Sequence, residues 1–173
     1  MKRIYLVGFM GCGKSAVGRR LSFLLKMPYY DMDKEISRQN GMAVAEIFDK
    51  HGEAYFRELE TQFLQNLKDE DCIISTGGGV AIREINRKIM RRTGLVLFLD
   101  APFREIWRRI HKDPRRPIVV NSTKEQIESL YQARYPLYKA AAHITIRTEF
   151  RSLRQITQYA AFQVNRLKGE RKK

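Results

Sequence analysis

Residues 3–15 read Arg3-Ile4-Tyr5-Leu6-Val7-Gly8-Phe9-Met10-Gly11-Cys12-Gly13-Lys14-Ser15. The stretch up to Gly8 is a short apolar run rich in strand formers, closed by a glycine, and predicts a buried first strand. From Gly13 the pattern changes: Val17, Leu21, Leu24 and Leu25 recur at helical spacing, with Lys26 near the end and Pro28 beyond it. Between strand and helix, Gly8 to Ser15 fits G-x-x-x-x-G-K-[ST]. Glycines in such a loop let successive backbone N–H groups curl around phosphate oxygens, and the helix N-terminus adds its positive end. Lys14 is predicted to reach β- and γ-phosphates from an exposed loop, and Ser15 to ligate Mg2+. The alternative is a glycine-rich strand–helix turn with no ligand.

Working outward, short apolar runs alternate with helical periodicities. Strands are predicted at 28–31, 72–75, 95–99 and 143–147. Helices are predicted at 33–39, 44–50, 53–67, around 82–90, and at 102–110, 123–139 and 152–167. Asn40-Gly41 separates the first two of these helices, and Pro136 is expected to kink or end its helix near Tyr135. Strands alternating with helices predict an α/β fold, a parallel sheet with helices on both faces. Residues 111–121 hold Lys112, Arg115 and Arg116, prolines at 114 and 117, and no periodicity, so they read as an exposed, mobile loop.

Composition limits the classes of function. The chain has 173 residues, 43% of them hydrophobic and 30% charged, enough for one core without staples. No stretch approaches a membrane span, and the apolar run at the N-terminus is too short for a signal peptide. Cys12 and Cys72 have no metal or redox spacing, and are expected to be reduced and semi-buried in a cytosolic protein. The net charge is +14, and it is uneven: residues 101–173 hold 17 basic and 6 acidic side chains. Such an excess suits either a nucleic-acid binder or an enzyme of phosphorylated compounds. Against the former, the basic residues are not interleaved with aromatics on one helix, and no nucleic-acid-binding signature is present.

Further residues stand out. Asp31-Met32-Asp33 follows the second strand, where open parallel sheets bind ligands. One of the two carboxylates could face a metal and the other an acceptor hydroxyl. Alternatively Asp33 merely caps the helix beginning at Lys34. Arg57, beside Glu58 and Glu60 on an amphipathic helix, reads by pattern alone as a solvated, salt-bridging arginine. Gly77-Gly78-Gly79 needs either a ligand approaching the backbone or a tight turn. Arg116, in its proline-bounded loop, could swing onto a transferring phosphate.

Together these residues resemble the shikimate kinase family over nearly the whole chain. The resemblance rests on Gly8–Ser15, on Asp31 and Asp33, and on Gly52-Glu53-x-x-Phe56-Arg57-x-x-Glu60. Gly77–Gly79, Arg115-Arg116-Pro117 and Arg134-Tyr135-x-x-Tyr138 complete it. It implies a P-loop NTPase fold like that of nucleoside monophosphate kinases, with a five-stranded parallel sheet in a single domain over 1–173. The core would comprise 1–31, 71–110 and 122–168, with a substrate-binding segment at 32–70 and a mobile lid at 111–121. It implies ATP-dependent phosphorylation of the 3-hydroxyl of shikimate, a step towards chorismate and the aromatic amino acids. Catalytic roles would fall to Lys14, Asp33 and Arg116. ATP would be held by Gly11, Cys12, Gly13, Lys14, Ser15 and Ala16, with Arg108, Arg116 and Arg151 towards the nucleotide. Shikimate would be held by Asp33, Arg57, Gly78, Gly79 and Arg134, and Mg2+ by Ser15 with Asp31 through water. The expected partners are shikimate and ATP alone, with no specific nucleic acid and no membrane, for a monomer in the cytoplasm. Two departures are visible: Ile118 stands where the family commonly has Leu, and 147–151 matches no strict motif. A related kinase of gluconate or of a nucleotide is the competing enzyme reading.

Overall fold

The computed structural model describes residues 3–113 and 117–170. Its frame is a sheet of five parallel strands: β1 (Arg3–Val7), β2 (Tyr29–Asp31), β3 (Cys72–Ser75), β4 (Gly94–Asp100) and β5 (Ile144–Arg147). They lie in the order β2-β3-β1-β4-β5. The interior strands β1 and β3 are buried at every residue, and β4 at Leu95 to Leu99, as covered parallel strands require.

Helix α1 (Lys14–Leu25) links β1 to β2, and α8 (Leu153–Glu170) follows β5; these two pack on one another. The remaining helices occupy the connections that run back across the sheet. They are α2 (Met32–Asn40), α3 (Val44–Gln65), α4 (Glu84–Thr93), α5 (Phe103–Ile110), α6 (Pro117–Val120) and α7 (Lys124–Ala141). Right-handed crossovers put them on the opposite face from α1 and α8. The chain leaves β1 towards β2 on one side and later lays β4 on the other. The crevice beyond the C-terminal end of β1 is therefore the switch point where open sheets take ligands.

Several local expectations are corrected. α7 runs through Pro136 instead of ending near Tyr135. Its buried residues Tyr131, Arg134, Tyr138 and Ala141 lie on both sides of the proline, so packing holds one helix. The carbonyl that loses its partner belongs to Gln132, an exposed residue on the solvent side of the helix. Within 111–121, α6 forms one helical turn and Val119 is buried, so the described part of that stretch has an apolar anchor. Cys12 and Cys72 are free and fully buried, not semi-buried. The two helices expected at 44–50 and 53–67 do meet a break, at Gly52 (φ 80, ψ 171).

Candidate active site

The loop after β1 is shaped by glycines in left-handed conformations, Gly11 at φ 78 and Gly13 at φ 102, which side chains other than glycine strain to adopt. The first helical bond of α1 is Val17 N–H to Gly13 O at 3.0 Å. The N–H groups of Lys14, Ser15 and Ala16 therefore have no partner within the helix and face the mouth of the loop. Cys12 turns its thiol inward, towards Gly8, and its N–H donates to Phe9 O at 3.3 Å.

Lys14 is buried, not exposed on the loop as its position suggested. Its ammonium donates to Gly8 O at 2.7 Å and Phe9 O at 3.1 Å. These carbonyls satisfy a charge that is largely withdrawn from water. Ser15 Oγ donates to Asp31 Oδ2 at 3.2 Å and lies 3.5 Å from Ser75 Oγ. A hydroxyl beside a carboxylate is a donor set suited to a hard, oxygen-loving cation such as Mg2+. Among the described residues, no group of three or more His, Cys, Asp or Glu side chains could cage a metal. Mg2+ held through one or two protein groups and substrate phosphates needs no such cage. A cleft of about 380 Å³ gathers Gly11, Gly13, Lys14, Ser15, Asp31 and Asp33.

The two aspartates do not share one extended strand. β2 ends at Asp31 and α2 begins at Met32, so Asp33 stands in the first helical turn. Asp31 holds the N-cap position without a side-chain capping bond, and Asp33 lies inside the helix, not before a helix beginning at Lys34. Asp33 instead points across to the glycine triplet. A Cβ on Gly77 would come within 2.6 Å of Asp33 Oδ1 and 2.8 Å of Glu60 Oε1. A Cβ on Gly79 would overlap the Arg57 guanidinium. Residues 77 and 79 are glycine because side chains from α2 and α3 fill the space their own would need; a Cβ on Gly78 would meet only Met10, at ordinary contact distance. None of the three has a positive φ.

Arg57 is no solvated surface arginine. Its Nη1 donates to Glu60 Oε2 at 2.7 Å, and its Nε and Nη2 donate to Glu53 Oε1 at 3.1 and 2.8 Å. Burial works against its charge, but Glu60 and Glu53 outweigh that and raise its pKa further. Three of its five N–H groups are thus used. Glu60 is fully buried. Desolvation pushes its carboxyl up to about 7; Arg57 pulls it down, Asp33 pushes it up again, and Arg134 pulls weakly. Arg134 is itself buried and close enough to act on Glu60 and Tyr138. The Tyr138 hydroxyl donates to Gly78 O, tying α7 to the triplet.

Asp33 and Gly78 line the phosphate-loop cleft, Arg57 lies against Gly79, and both arginines, Arg57 and Arg134, act on the Glu60 carboxyl next to Asp33. Arg108 and Arg151 lie apart from these residues, along a second cleft with Trp107, His111 and Phe150. Arg116 lies outside the described residues. The sequence motif contains Glu53 and Glu60 without giving either a role, and Trp107 and Phe150 were passed over altogether. Only Phe150 left a trace, as an apolar residue in a polar stretch; it is exposed and has φ 57.

The family model described as shikimate kinase matches residues 10–164. A shikimate kinase of Nitrosospira multiformis is 38% identical over 163 residues, 93% of this chain and 84% of that protein. One from Aquifex aeolicus is 41% identical over 140 residues, covering 80% of this chain and 83% of its own. Among solved structures, a shikimate kinase from Acinetobacter baumannii in complex with shikimate superposes with a TM-score of 0.90 at 36% identity. That match covers 97% of this chain and 95% of the other. A gluconokinase from Sinorhizobium meliloti, 14% identical with a TM-score of 0.58 over 96% and 93% of the two chains, shares the fold.

Proposed function

The chain belongs to the shikimate kinase family, and from that premise we propose how its own residues perform the family's reaction. The reaction is phosphorylation of the shikimate 3-hydroxyl by ATP, giving shikimate 3-phosphate and ADP, in aromatic amino acid biosynthesis. The observation that carries the assignment of residues is the place of Asp33. It lines the phosphate-loop cleft and also abuts Gly77 beside the Arg57–Glu60 pair. One carboxylate therefore faces both the phosphates and the acceptor.

Shikimate carries a carboxylate and three hydroxyls. Arg57, with two N–H groups remaining, and Arg134 hold the carboxylate by charge-assisted bonds. Gly78 leaves its backbone open for close approach to the ring, and Gly79 makes room for the Arg57 guanidinium that holds the carboxylate. Asp33 accepts a hydrogen bond from the 3-hydroxyl and aims its oxygen at the γ-phosphorus. As the new O–P bond forms and the bond to ADP breaks, the hydroxyl proton passes to the Asp33 carboxylate. The transition state is loose, so positioning and charge neutralisation supply most of the rate.

The free N–H groups at the start of α1 receive the phosphates. Lys14 exchanges its two loop carbonyls for β- and γ-phosphate oxygens, so its charge never stands unpaired. Ser15, with Asp31 through water, would hold Mg2+, whose charge when bound neutralises the phosphate oxygens. Arg116 enters on its sequence motif alone, as the lid arginine that meets the transferring phosphoryl group. Arg108 and Arg151 are assigned to the nucleotide base side. In this division 32–70 holds the acceptor, 111–121 closes, and the remaining core holds the nucleotide. In this reading the enzyme is a monomer acting on the small molecules shikimate and ATP, without a specific nucleic acid. Among the described residues no helix is long and apolar enough to cross a membrane, and we place the enzyme in the cytoplasm.

A coupled assay of ADP release, with shikimate, gluconate and nucleoside monophosphates offered in turn, tests the reading. Turnover confined to shikimate is expected. Turnover on another acceptor in preference to shikimate would overturn it.

A further inference from the structure

Glu60 is fully buried, and half of its carboxylate is satisfied. Oε2 accepts from Arg57 Nη1; Oε1 has no hydrogen-bond partner and faces the point beside Gly77 that Asp33 Oδ1 also faces. A bare carboxylate oxygen in such a place is costly, and protonation removes the cost. A proton on Oε1 would turn that atom into a donor directed towards Asp33, while Oε2 kept its bond from Arg57.

The charges around Glu60 come from several elements. On its own helix Arg57 attracts it, and Glu53 shares that same guanidinium. Asp33 on α2 repels it, and Arg134 on α7 attracts it weakly. Arg83, preceding α4, is turned elsewhere, to Glu58 Oε2, Thr61 Oγ1 and Arg57 O. The net hold on an ionised Glu60 thus depends chiefly on one guanidinium that already serves two carboxylates.

The acceptor brings a third. Each anion drawn to Arg57 weakens its hold on the others, and the acceptor's carboxylate adds its own repulsion to that of Asp33. We infer that binding of the acceptor's carboxylate at Arg57 is coupled to uptake of a proton by Glu60. The inference rests on the reading of Arg57 as the carboxylate site. Its sign follows from a carboxyl already pushed up to about 7 by burial. Binding raises that value further, so protons are taken up around and above neutrality, and acceptor affinity falls as pH rises there. Well below neutrality Glu60 is protonated in both states, and uptake vanishes.

The test is calorimetric titration of the intact protein with shikimate, slightly above neutral pH, in phosphate and in Tris. These buffers differ widely in ionisation enthalpy. The expected result is a binding enthalpy that differs between them by an amount equal to uptake of a few tenths of a proton or more. Infrared difference spectra should show the carbonyl stretch of a newly protonated carboxyl, which separates Glu60 from any histidine. Glu60→Gln should bind shikimate with equal enthalpy in both buffers. Measurements on the unaltered protein decide the matter even if that variant does not fold. Normal binding with equal enthalpies and no carboxyl band would overturn the inference while leaving the acceptor site standing. Absence of any shikimate binding would overturn the acceptor site, and the inference with it.

Discussion

The Arg57 guanidinium occupies the space that a side chain on residue 79 would fill. Gly79 has φ −102 and ψ −6, a conformation alanine adopts without strain. Gly79→Ala should therefore fold normally and displace only the far end of a flexible side chain. A displaced guanidinium loses a charge-assisted contact to the acceptor, worth ~1.5–3 kcal/mol. The KM for shikimate is expected to rise about tenfold or more by the same principle, with the KM for ATP near its original value and the urea midpoint lowered, because buried Glu60 loses the guanidinium that pairs it. An unchanged shikimate KM would mean that Arg57 does not hold the acceptor.

Asp33→Asn is expected to reduce turnover by roughly 10²-fold or more, the range for losing a positioned proton acceptor. ATP binding should be nearly unaffected. The amide keeps the shape against Gly77 but not the charge that orients the hydroxyl and receives its proton. Steady-state kinetics and nucleotide titration separate the two quantities. Loss of nucleotide affinity with shikimate binding retained would show that Asp31 and Asp33 have exchanged roles.

Lys14→Ala should lower turnover by roughly 10²–10³-fold, because the transferring phosphoryl group loses a fixed cation. Burial adds a second consequence that an exposed lysine would not have. Two carbonyl partners, Gly8 O and Phe9 O, lose their donor. Stability should fall by about 1–3 kcal/mol, the cost of leaving such groups unsatisfied. Chemical denaturation of the nucleotide-free protein checks this; an unchanged midpoint would show that water replaces the ammonium freely.

The frame was legible where one signal admitted one structure. The apolar run, the glycine spacing and the helical periodicity after Gly13 left little choice for β1, its loop and α1. Continuous apolar runs did the same for β3 and β4. Asp33 was misread locally because the switch from β2 to α2 falls between the two aspartates, and short strands give no periodic mark of where they stop. Pro136 misled because propensity ignores which side of a helix is packed. α6 is too short for any period to show. Glu60 is the instructive case. An acid on an amphipathic helix reads as a solvent-facing residue, and its burial is visible only once Gly77 and Asp33 close over it.

That burial has a consequence for stability as well as for binding. Glu60 carries a carboxyl pushed up to about 7 in the folded chain against an ordinary 4.5. Between those values the folded protein keeps a proton that the unfolded chain has released. Stability therefore falls as pH rises through this window and levels off above it. The shift amounts to about 3 kcal/mol at most, at 1.36 kcal/mol per pKa unit. Urea midpoints at about pH 5 and about pH 8 should differ in that direction, with the constant slope of a two-state transition. Glu60→Gln cannot titrate there, so its profile should be flatter than that of the original protein, whatever its absolute stability. Comparing the two slopes removes the contributions of other groups, including the carboxylates of Glu46 and Glu84, whose lowered values act at more acid pH. Parallel profiles would show that the Glu60 carboxylate stays ionised throughout, held by Arg57 more firmly than its buried second oxygen allows.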